Sequence, residues 1–280
     1  MALAGPELVK EISERYGMIK DLRFGINSKL YEGSDRKTHE RIVIKKCFDD
    51  GDFQREVVAS VKISLRGGSK HILPYYICVP VEGYIVMPYL EGGTLWDLRR
   101  KKKGLSPEET FDITAQMGEA LEHVHVAGII HNDFKSSNIL LTASSTSKNG
   151  LTAMLTDFGF SHCGIPDLNP SREVGTAEYQ APEKFEGSGT LTSAVDIYSL
   201  GLVVHEMLTN ALLYHNISDP RNKSELRKVL RKRAEPIPAH EKIPDKILSV
   251  IRTACEYRPE NRYRNVTEMV SDLEKAVHGI

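Results

Sequence analysis

The sequence predicts an α+β fold in which a small strand-rich part precedes a larger, mostly helical part. Up to residue 90, short β-branched or apolar runs are bounded by charges, Gly or Pro, as at residues 42–44 and 84–87. After residue 90, helix-start signals and apolar residues at helical spacing dominate. We place the border at residues 88–93, where a cleft between two unequal lobes would suit a ligand.

The helices are predicted from their start signals and their apolar content. Ser106 suits an N-cap, Pro107 suits the first helical position, and Glu109 completes a capping box. Residues 265–268 repeat the capping-box pattern. Residues 194–208 form an apolar run that is too long for a strand, so we expect a buried helix there.

Composition excludes several classes of protein. The chain has 280 residues, with 37 Lys and Arg against 38 Asp and Glu, a formal net charge of −1 and 40% hydrophobic residues. This near-neutral charge argues against a nucleic-acid partner, which needs a basic face, and the hydrophobic fraction is too high for a disordered chain. No apolar run approaches the roughly 18–20 residues of a membrane span.

Cysteine usage predicts a reducing compartment. The four cysteines are scattered, and none lies in a C-x-x-C pair, so we expect free thiols and no structural zinc. Residues 1–10 carry neither a basic segment nor a long apolar run, so we see no signal peptide and expect a soluble, cytoplasmic protein.

The residues that carry chemistry form an ordered set of short motifs. Residues 131–138 read His-Asn-Asp-Phe-Lys-Ser-Ser-Asn, and residues 157–159 read Asp-Phe-Gly. Residues 175–179 (Gly-Thr-Ala-Glu-Tyr) and 181–183 (Ala-Pro-Glu) follow, and residues 42–45 (Ile-Val-Ile-Lys) lie upstream. Each motif alone is weak, but the order and spacing of all of them are specific.

This set resembles the signature of the eukaryotic-type protein kinase family, on its serine/threonine branch. The resemblance implies a two-lobed fold, with a small N-terminal antiparallel β lobe that carries one main helix and a larger, mostly helical C-terminal lobe. The implied boundaries are an N-terminal extension over residues 1–19 and a kinase domain over 20–280, divided into N lobe (20–87), hinge (88–93) and C lobe (94–280).

The resemblance also implies the catalytic roles. Asp133 would orient the substrate hydroxyl and accept its proton, and Lys135 would reach the γ-phosphate during transfer. Lys45 would hold the α- and β-phosphates of ATP. Thr176, together with Lys135, resembles the serine/threonine branch. The acceptor would therefore be a Ser or Thr hydroxyl of a protein substrate.

The resemblance implies two further features of the site, which are a partner for Lys45 and ligands for Mg²⁺. A helix glutamate should pair with Lys45, and Glu56 is the only acidic residue in positions 53–81. Asn138 and Asp157 would supply hard oxygen ligands to Mg²⁺, which bridges the phosphates of ATP.

Adenine is expected at the border between the lobes. By the resemblance, Met87 is the gatekeeper, and the Pro88 carbonyl and the Leu90 N–H meet the adenine edge. The missing N–H of proline costs nothing at Pro88, because only its carbonyl is used. Leu140 would pack beneath the adenine and Val43 above it.

The glycine-rich loop departs from the family pattern. Residues 23–30 fall on it, and we expect Gly25 and Leu30 to contact ATP. Arg23 and Ser28 replace two glycines, at positions where backbone must approach phosphate closely. We therefore expect weakened nucleotide binding.

Other departures concern activation and packing. Asn132 stands where many family members have an arginine that binds a phosphorylated activation loop, so we expect a non-RD enzyme that is not switched on in this way. Ser171 is the only hydroxyl residue in positions 165–174. Ser60 is polar where the family usually has an apolar residue, one turn after Glu56.

Some motif residues resemble structural positions of the family. Asp196 resembles a buried aspartate that binds the catalytic loop, Arg262 resembles an arginine that pairs with Glu183, and Phe158 with His131 resembles a stacked spine.

Two other functions stay open beside an active serine/threonine protein kinase. The changes in the glycine-rich loop would also fit a weak or inactive pseudokinase that serves as a nucleotide-binding or protein-interaction module. A small-molecule kinase is disfavoured, because residues 175–183 resemble a segment that holds a peptide.

Overall fold

The computed structural model describes residues 14–24, 27–80, 82–145, 147, 149–169, 175–186, 190–214 and 223–279, with side chains except at residue 24 and residues 223–226. It confirms the two-lobed α+β fold, since an antiparallel sheet with one long helix precedes a larger helical part. Gly25 and Ser171 lie outside the described residues. No helix in the described ranges is both long and apolar enough to cross a membrane.

The N-terminal sheet has five antiparallel strands in the order β1-β2-β3-β5-β4. Their bounds are β1 (Tyr16–Phe24), β2 (Ser28–Asp35), β3 (Arg41–Cys47), β4 (Ile77–Val79) and β5 (Tyr84–Pro88). The first strand thus begins within the predicted extension of residues 1–19. Along β3, Ile42 and Ile44 are buried on one face, and strand alternation puts Val43 and Lys45 together on the other.

Helix α1 (Asp50–Ser64) is the one long helix among the described residues of the N lobe. Its N-cap is Asp49, whose side chain accepts a hydrogen bond of 3.0 Å from the Asp52 N–H. Phe53, Glu56 and Ile63 recur at helical spacing and are buried. A glutamate thus shares a buried helix face with apolar residues, so it needs a polar partner.

The C-terminal part contains seven helices among the described residues and a second, two-stranded sheet. The strands are β6 (Ile139–Ala143) and β7 (Leu151–Leu155). The helices are α2 (Leu95–Lys102), α3 (Pro107–Val126), α4 (Pro182–Glu186), α5 (Ala194–Thr209), α6 (Lys223–Ala234), α7 (Asp245–Ala254) and α8 (Val266–His278).

Most helix predictions are confirmed at the level of the caps. Ser106 and Glu109 form the complete capping box of α3, with Pro107 in its first turn. The predicted buried helix is α5, which is buried from Val195 to Thr209. The capping box at the start of α8 is only half formed, because the Glu268 side chain accepts from the Arg264 N–H and not from the N-cap.

The hinge is joined closely to the small sheet of the C lobe. The Gly92 N–H donates to the Leu141 carbonyl (3.0 Å), and the Leu141 N–H donates to Gly93 (2.9 Å). A Cβ at residue 92 would lie 2.4 Å from the Leu141 carbonyl oxygen, so only glycine allows this approach. Leu140, the residue before Leu141 in β6, packs against the cluster that contains Met87.

A buried ion pair fastens the start of α4 to the loop before α8. The Arg262 guanidinium has no exposed surface and donates to both carboxylate oxygens of Glu183 at 2.7 Å. It also donates to the carbonyls of Ala194, Glu256 and Tyr257. The bidentate geometry makes this a strong contact.

Replacing Arg262 by Met should lower the free energy of unfolding by about 3–5 kcal/mol, because Glu183, whose side chain is only 12% exposed, would lose its charge partner. Urea denaturation measures this change. The matched control is Arg264→Met, since the Arg264 side chain is 87% exposed and its ion pair with Glu268 is worth at most about 1 kcal/mol. Equal losses in the two variants would contradict the prediction.

Candidate active site

The site begins with an ion pair between the sheet and the N-lobe helix. Lys45 projects from β3, and its Nζ contacts Glu56 of α1 and, at 2.8 Å, Oδ1 of Asp157. The Lys45 side chain is 9% exposed and that of Glu56 is fully buried. The structure thus joins Lys45 to Glu56, its predicted partner, and also to Asp157, which was predicted as a Mg²⁺ ligand.

Glu56 is held by three donors from three different segments. They are the Lys45 ammonium, the Tyr75 hydroxyl and, at 3.1 Å, the Phe158 N–H. Sequence reasoning missed Tyr75, because nothing in the residues before β4 shows that its hydroxyl turns toward α1. The three donors fix the helix, the sheet and the Asp-Phe-Gly segment to one carboxylate.

The pKa values of this cluster follow from burial and the close charges. Burial opposes the charge of Lys45, but Asp157 and Glu56 outweigh it and hold the Lys45 pKa above its ordinary value. Burial also disfavours the Asp157 carboxylate, but Lys45 lowers the Asp157 pKa well below its usual range. A lysine cation and an Asp157 carboxylate therefore face the cleft at neutral pH.

Asp133 is the centre of a second cluster in the loop after Ile130. Its Oδ1 accepts from the Thr176 N–H at 2.8 Å, and its Oδ2 accepts from Lys135 Nζ at 2.6 Å. Lys135 Nζ also donates to the Thr176 hydroxyl at 2.7 Å. The predicted residues Asp133, Lys135 and Thr176 thus form one hydrogen-bonded triangle.

The catalytic loop rests on a buried carboxylate from α5. Asp196 is fully buried and accepts from the main-chain N–H groups of His131 (2.9 Å) and Asn132 (2.8 Å). The His125 side chain donates to the same carboxylate at 2.8 Å. Asn132 has a φ of +67°, so Asp196 holds the loop in a left-handed turn just before Asp133.

Asn138 and Asp157 fit a small divalent cation by their chemistry. The Asn138 amide nitrogen donates to the Asp133 carbonyl at 3.0 Å, so the atom available to a cation is its oxygen. The main-chain carbonyl of Asn138 accepts from the N–H of Thr156, the residue before Asp157. No group of three or more His, Cys, Asp or Glu side chains in the described ranges could hold a metal alone. Two oxygen donors suit Mg²⁺, which keeps waters and phosphate oxygens as its other ligands.

The predicted adenine site is an apolar cluster that spans both lobes. Met87 of β5 is buried and packs in one cluster with Val43, Leu90 and Leu140. Pro88 is the last residue of β5, so the strand ends where the predicted hinge starts. Leu30 of β2 pairs in register with Lys45 but lies outside this cluster.

Comparison with known proteins agrees with this arrangement. A model of the protein kinase domain matches residues 16–272. This chain belongs to the protein kinase domain family. It is similar to a probable serine/threonine-protein kinase of Clostridium perfringens (30% identity, 95% of this chain, 39% of the relative). It is also similar to the serine/threonine-protein kinases PknB of Mycobacterium leprae (29%, 96% and 44%) and Mycobacterium tuberculosis (28%, 96% and 44%). The chain spans about two fifths of the length of these relatives.

The kinase domain has a cavity beside its Asp-Phe-Gly segment. The ring centroids of His131 and Phe158, the two residues that resemble the spine of the family, lie 5.0 Å apart with the ring planes tilted by 59°. Next to Phe158 is a cavity of about 110 Å³, lined among others by Ser60 and Ile72. The small polar Ser60 thus faces open space where an apolar side chain would pack.

The variant Ser60→Leu should raise the free energy of unfolding by about 0.5–2 kcal/mol, because leucine would fill part of this cavity. Chemical denaturation tests this expectation. Gln54→Leu is the control, since Gln54 is exposed on the same helix. A loss of stability in Ser60→Leu would show that the space is too small for leucine.

Sequence reasoning also missed a lysine beneath the catalytic loop. Lys184, directly after the Ala-Pro-Glu motif, is 2% exposed, and its Nζ donates to the Asn132 carbonyl at 2.9 Å. Burial lowers the Lys184 pKa to about 8, although Asp133 and Asp196 oppose this shift. Its position next to the Ala-Pro-Glu motif was a signal in the sequence, but its burial could not be predicted from the sequence.

The Lys184 pKa predicts a pH-dependent stability. Below pH 8 the lysine is charged in the folded and unfolded states, and folding bears the cost of burying that charge. Between pH 8 and 10.5 the folded state releases the proton while the unfolded state keeps it, so stability rises with pH. The free energy of unfolding of the wild type, relative to Lys184→Met, should therefore increase from pH 8 to pH 10.

Urea denaturation of both proteins at several pH values measures this difference. Lys101→Met, which changes an exposed lysine, controls for the general effect of losing one amine. A gap between wild type and Lys184→Met that stays constant with pH would refute the prediction.

Proposed function

We propose that this kinase domain transfers the γ-phosphoryl group of ATP to Ser or Thr hydroxyls of protein substrates. The observation that carries the proposal is the convergence of two hydrogen-bonded clusters on one cleft. Lys45, Glu56 and Asp157 form the first cluster, and Asp133 and Lys135 belong to the second. Phosphoryl transfer requires mainly positioning and charge neutralisation, and these residues supply both.

In this proposal each side chain acts on a different part of the reaction. Asp133 accepts the hydroxyl proton, because its two oxygens are already oriented by Thr176 and Lys135. The Lys135 ammonium moves from Asp133 to the phosphoryl group that is being transferred. Lys45 neutralises the α- and β-phosphates while Glu56 fixes its position.

Asn138 and Asp157 would hold Mg²⁺ through their side-chain oxygens. When bound, Mg²⁺ neutralises and orients the phosphate oxygens of ATP. Asp157 suits this role because Lys45 keeps it ionised, so a ligand with full negative charge faces the cleft.

Adenine binding would follow from the apolar cluster at the hinge. Val43 and Met87 belong to the N lobe and Leu140 to the C lobe, so a flat ring would fit between them. The Pro88 carbonyl and the Leu90 N–H would bind its edge. Gly25 and Leu30 would cover the phosphates from the glycine-rich loop.

The serine/threonine preference is supported by the contact between Lys135 and Thr176 (2.7 Å). The curated relatives carry names of serine/threonine kinases, which agrees with this preference. We also propose a non-RD mode of activation. The Asn132 side chain is neutral and donates to the Phe160 carbonyl at 2.9 Å, so it binds main chain directly after the Asp-Phe-Gly motif.

A pseudokinase is the second candidate, favoured by the altered glycine-rich loop. Arg23 is exposed at the end of β1, and Ser28 begins β2 opposite Cys47. These residues replace glycines that would let the backbone approach phosphate. Weak ATP binding with an intact catalytic cluster would be the expected outcome of such changes.

A single assay separates the two candidates. The purified protein, incubated with Mg-ATP and generic protein substrates, should phosphorylate Ser and Thr, and Asp133→Asn should lower kcat by at least about a thousandfold. Removal of Mg²⁺ with a chelator should also abolish transfer. Phosphoamino-acid analysis and initial rates measure these effects.

The change in melting temperature on addition of Mg-ATP measures nucleotide binding in the wild type and in Asp133→Asn. An ATP-dependent shift without phosphate transfer would favour the pseudokinase. The absence of both an ATP-dependent thermal shift and phosphate transfer would refute the proposal that the protein is an enzyme. Phosphorylation restricted to tyrosine would refute the proposed specificity.

A further inference from the structure

Arg55, the residue before Glu56, is buried and contacts main chain outside its own helix. The guanidinium Nε donates to the Gly159 carbonyl, and Nη1 donates to the Leu168 carbonyl at 3.1 Å. The two acceptors are the ends of the stretch that begins at the glycine of the Asp-Phe-Gly motif, which we call the anchored segment (residues 159–168). One side chain of α1 thus spans the whole anchored segment.

Lys62 strengthens the same contact two turns further along α1. Its Nζ donates to the Cys163 carbonyl at 2.5 Å, in the middle of the anchored segment. The Cys163 thiol in turn lies 3.7 Å from the Arg55 carbonyl. Residues 55 and 62 are seven positions apart and lie on one helix face. All three acceptors of Arg55 and Lys62 here are carbonyls, so the contact depends on the path of the main chain.

Asp52 connects Arg55 to the glycine-rich loop. It pairs with the third nitrogen of the Arg55 guanidinium through Oδ1. Its Oδ2 accepts from the Asn27 side chain at 2.8 Å, in the turn between β1 and β2. The side chains of Asp52 and Arg55 are only 9% and 10% exposed, so each would be left as a poorly solvated charge without the other.

We propose that Asn27, Asp52 and Arg55 are positioning residues that tie the glycine-rich loop and the anchored segment to α1. The chain of contacts keeps Glu56 against Lys45 without a phosphate group between the Asp-Phe-Gly and Ala-Pro-Glu motifs. Arg55 can do this because all three of its nitrogens are committed to carbonyls and to Asp52. The inference rests on the proposed phosphotransfer activity and names what holds its site together.

The first test compares Arg55→Met with Arg55→Lys. Methionine keeps an unbranched stem close in length to the aliphatic part of arginine but loses every hydrogen bond, so kcat at saturating Mg-ATP should fall by about tenfold or more. Lysine offers one point charge and should restore part of kcat. Arg66→Met, an exposed arginine just after α1, is the matched control and should stay within about twofold of the wild type.

The second test uses Asn27→Ala, which releases only the turn between β1 and β2. It should raise KM for ATP several-fold and leave kcat within about twofold of the wild type. A residue that merely stabilised the fold would not give this split between KM and kcat. An unchanged KM for ATP would remove Asn27 from the proposal.

Hydrogen exchange tests the anchoring independently of activity. In Arg55→Met, amides of residues 159–168 should exchange about tenfold faster, while those of α5 stay protected. Equal exchange in wild type and variant would overturn the proposal. If the wild type transferred no phosphate, the proposed function would fail, and this comparison would still decide the anchoring. If Arg55→Met did not fold, Arg55→Lys would take its place in the exchange measurement.

The third test removes phosphate from the protein itself. Wild-type protein treated with a phosphatase, and shown by mass to be unmodified, should keep its kcat within about twofold. Loss of activity on this treatment, with recovery after autophosphorylation, would overturn the proposal that no phosphate is needed.

Discussion

The buried pair of Lys45 and Glu56 is the interaction on which the rest of the site depends. Neither charge could remain in the interior alone, because an unpaired buried ion costs several kcal/mol. Satisfying Glu56 requires β3, the segment before β4 and the Asp-Phe-Gly segment to meet at one point of α1. The electrostatic need of one carboxylate therefore determines the relative position of four segments of the chain.

The C lobe solves a similar problem with Asp196. This carboxylate is fully buried in α5 and is satisfied by two main-chain N–H groups of the catalytic loop and by His125. The loop is thereby fixed to the most buried helix of the described structure. Asp133 then projects into the cleft from a rigid base, and its own oxygens are oriented by Lys135 and Thr176. Rigid support of this kind is what positions a catalytic group accurately.

Much of the fold and of the candidate site could be predicted because the signals are local. The capping box at Ser106 needs only four residues, and it formed as predicted. The capping box predicted at residues 265–268 formed only in part, because Glu268 found a competing donor at Arg264. The pairing of Glu56 with Lys45 was expected from the resemblance to the kinase family, and Glu56 could be chosen because it is the only acidic residue in positions 53–81. The roles of these residues in catalysis stay predictions until the assays are done.

The sequence by itself determined the fold class, the order of the motifs and the chemical types present in the cleft. Only the tertiary structure decided how Tyr75, Arg55 and Lys184 are used. Each of these residues would be ordinary on a surface, and each is buried in a hydrogen bond with a group that is distant in the chain. Burial depends on the packing of whole elements, and a short stretch of sequence does not encode it. The cost of desolvating a polar group therefore becomes visible only when its neighbours are known.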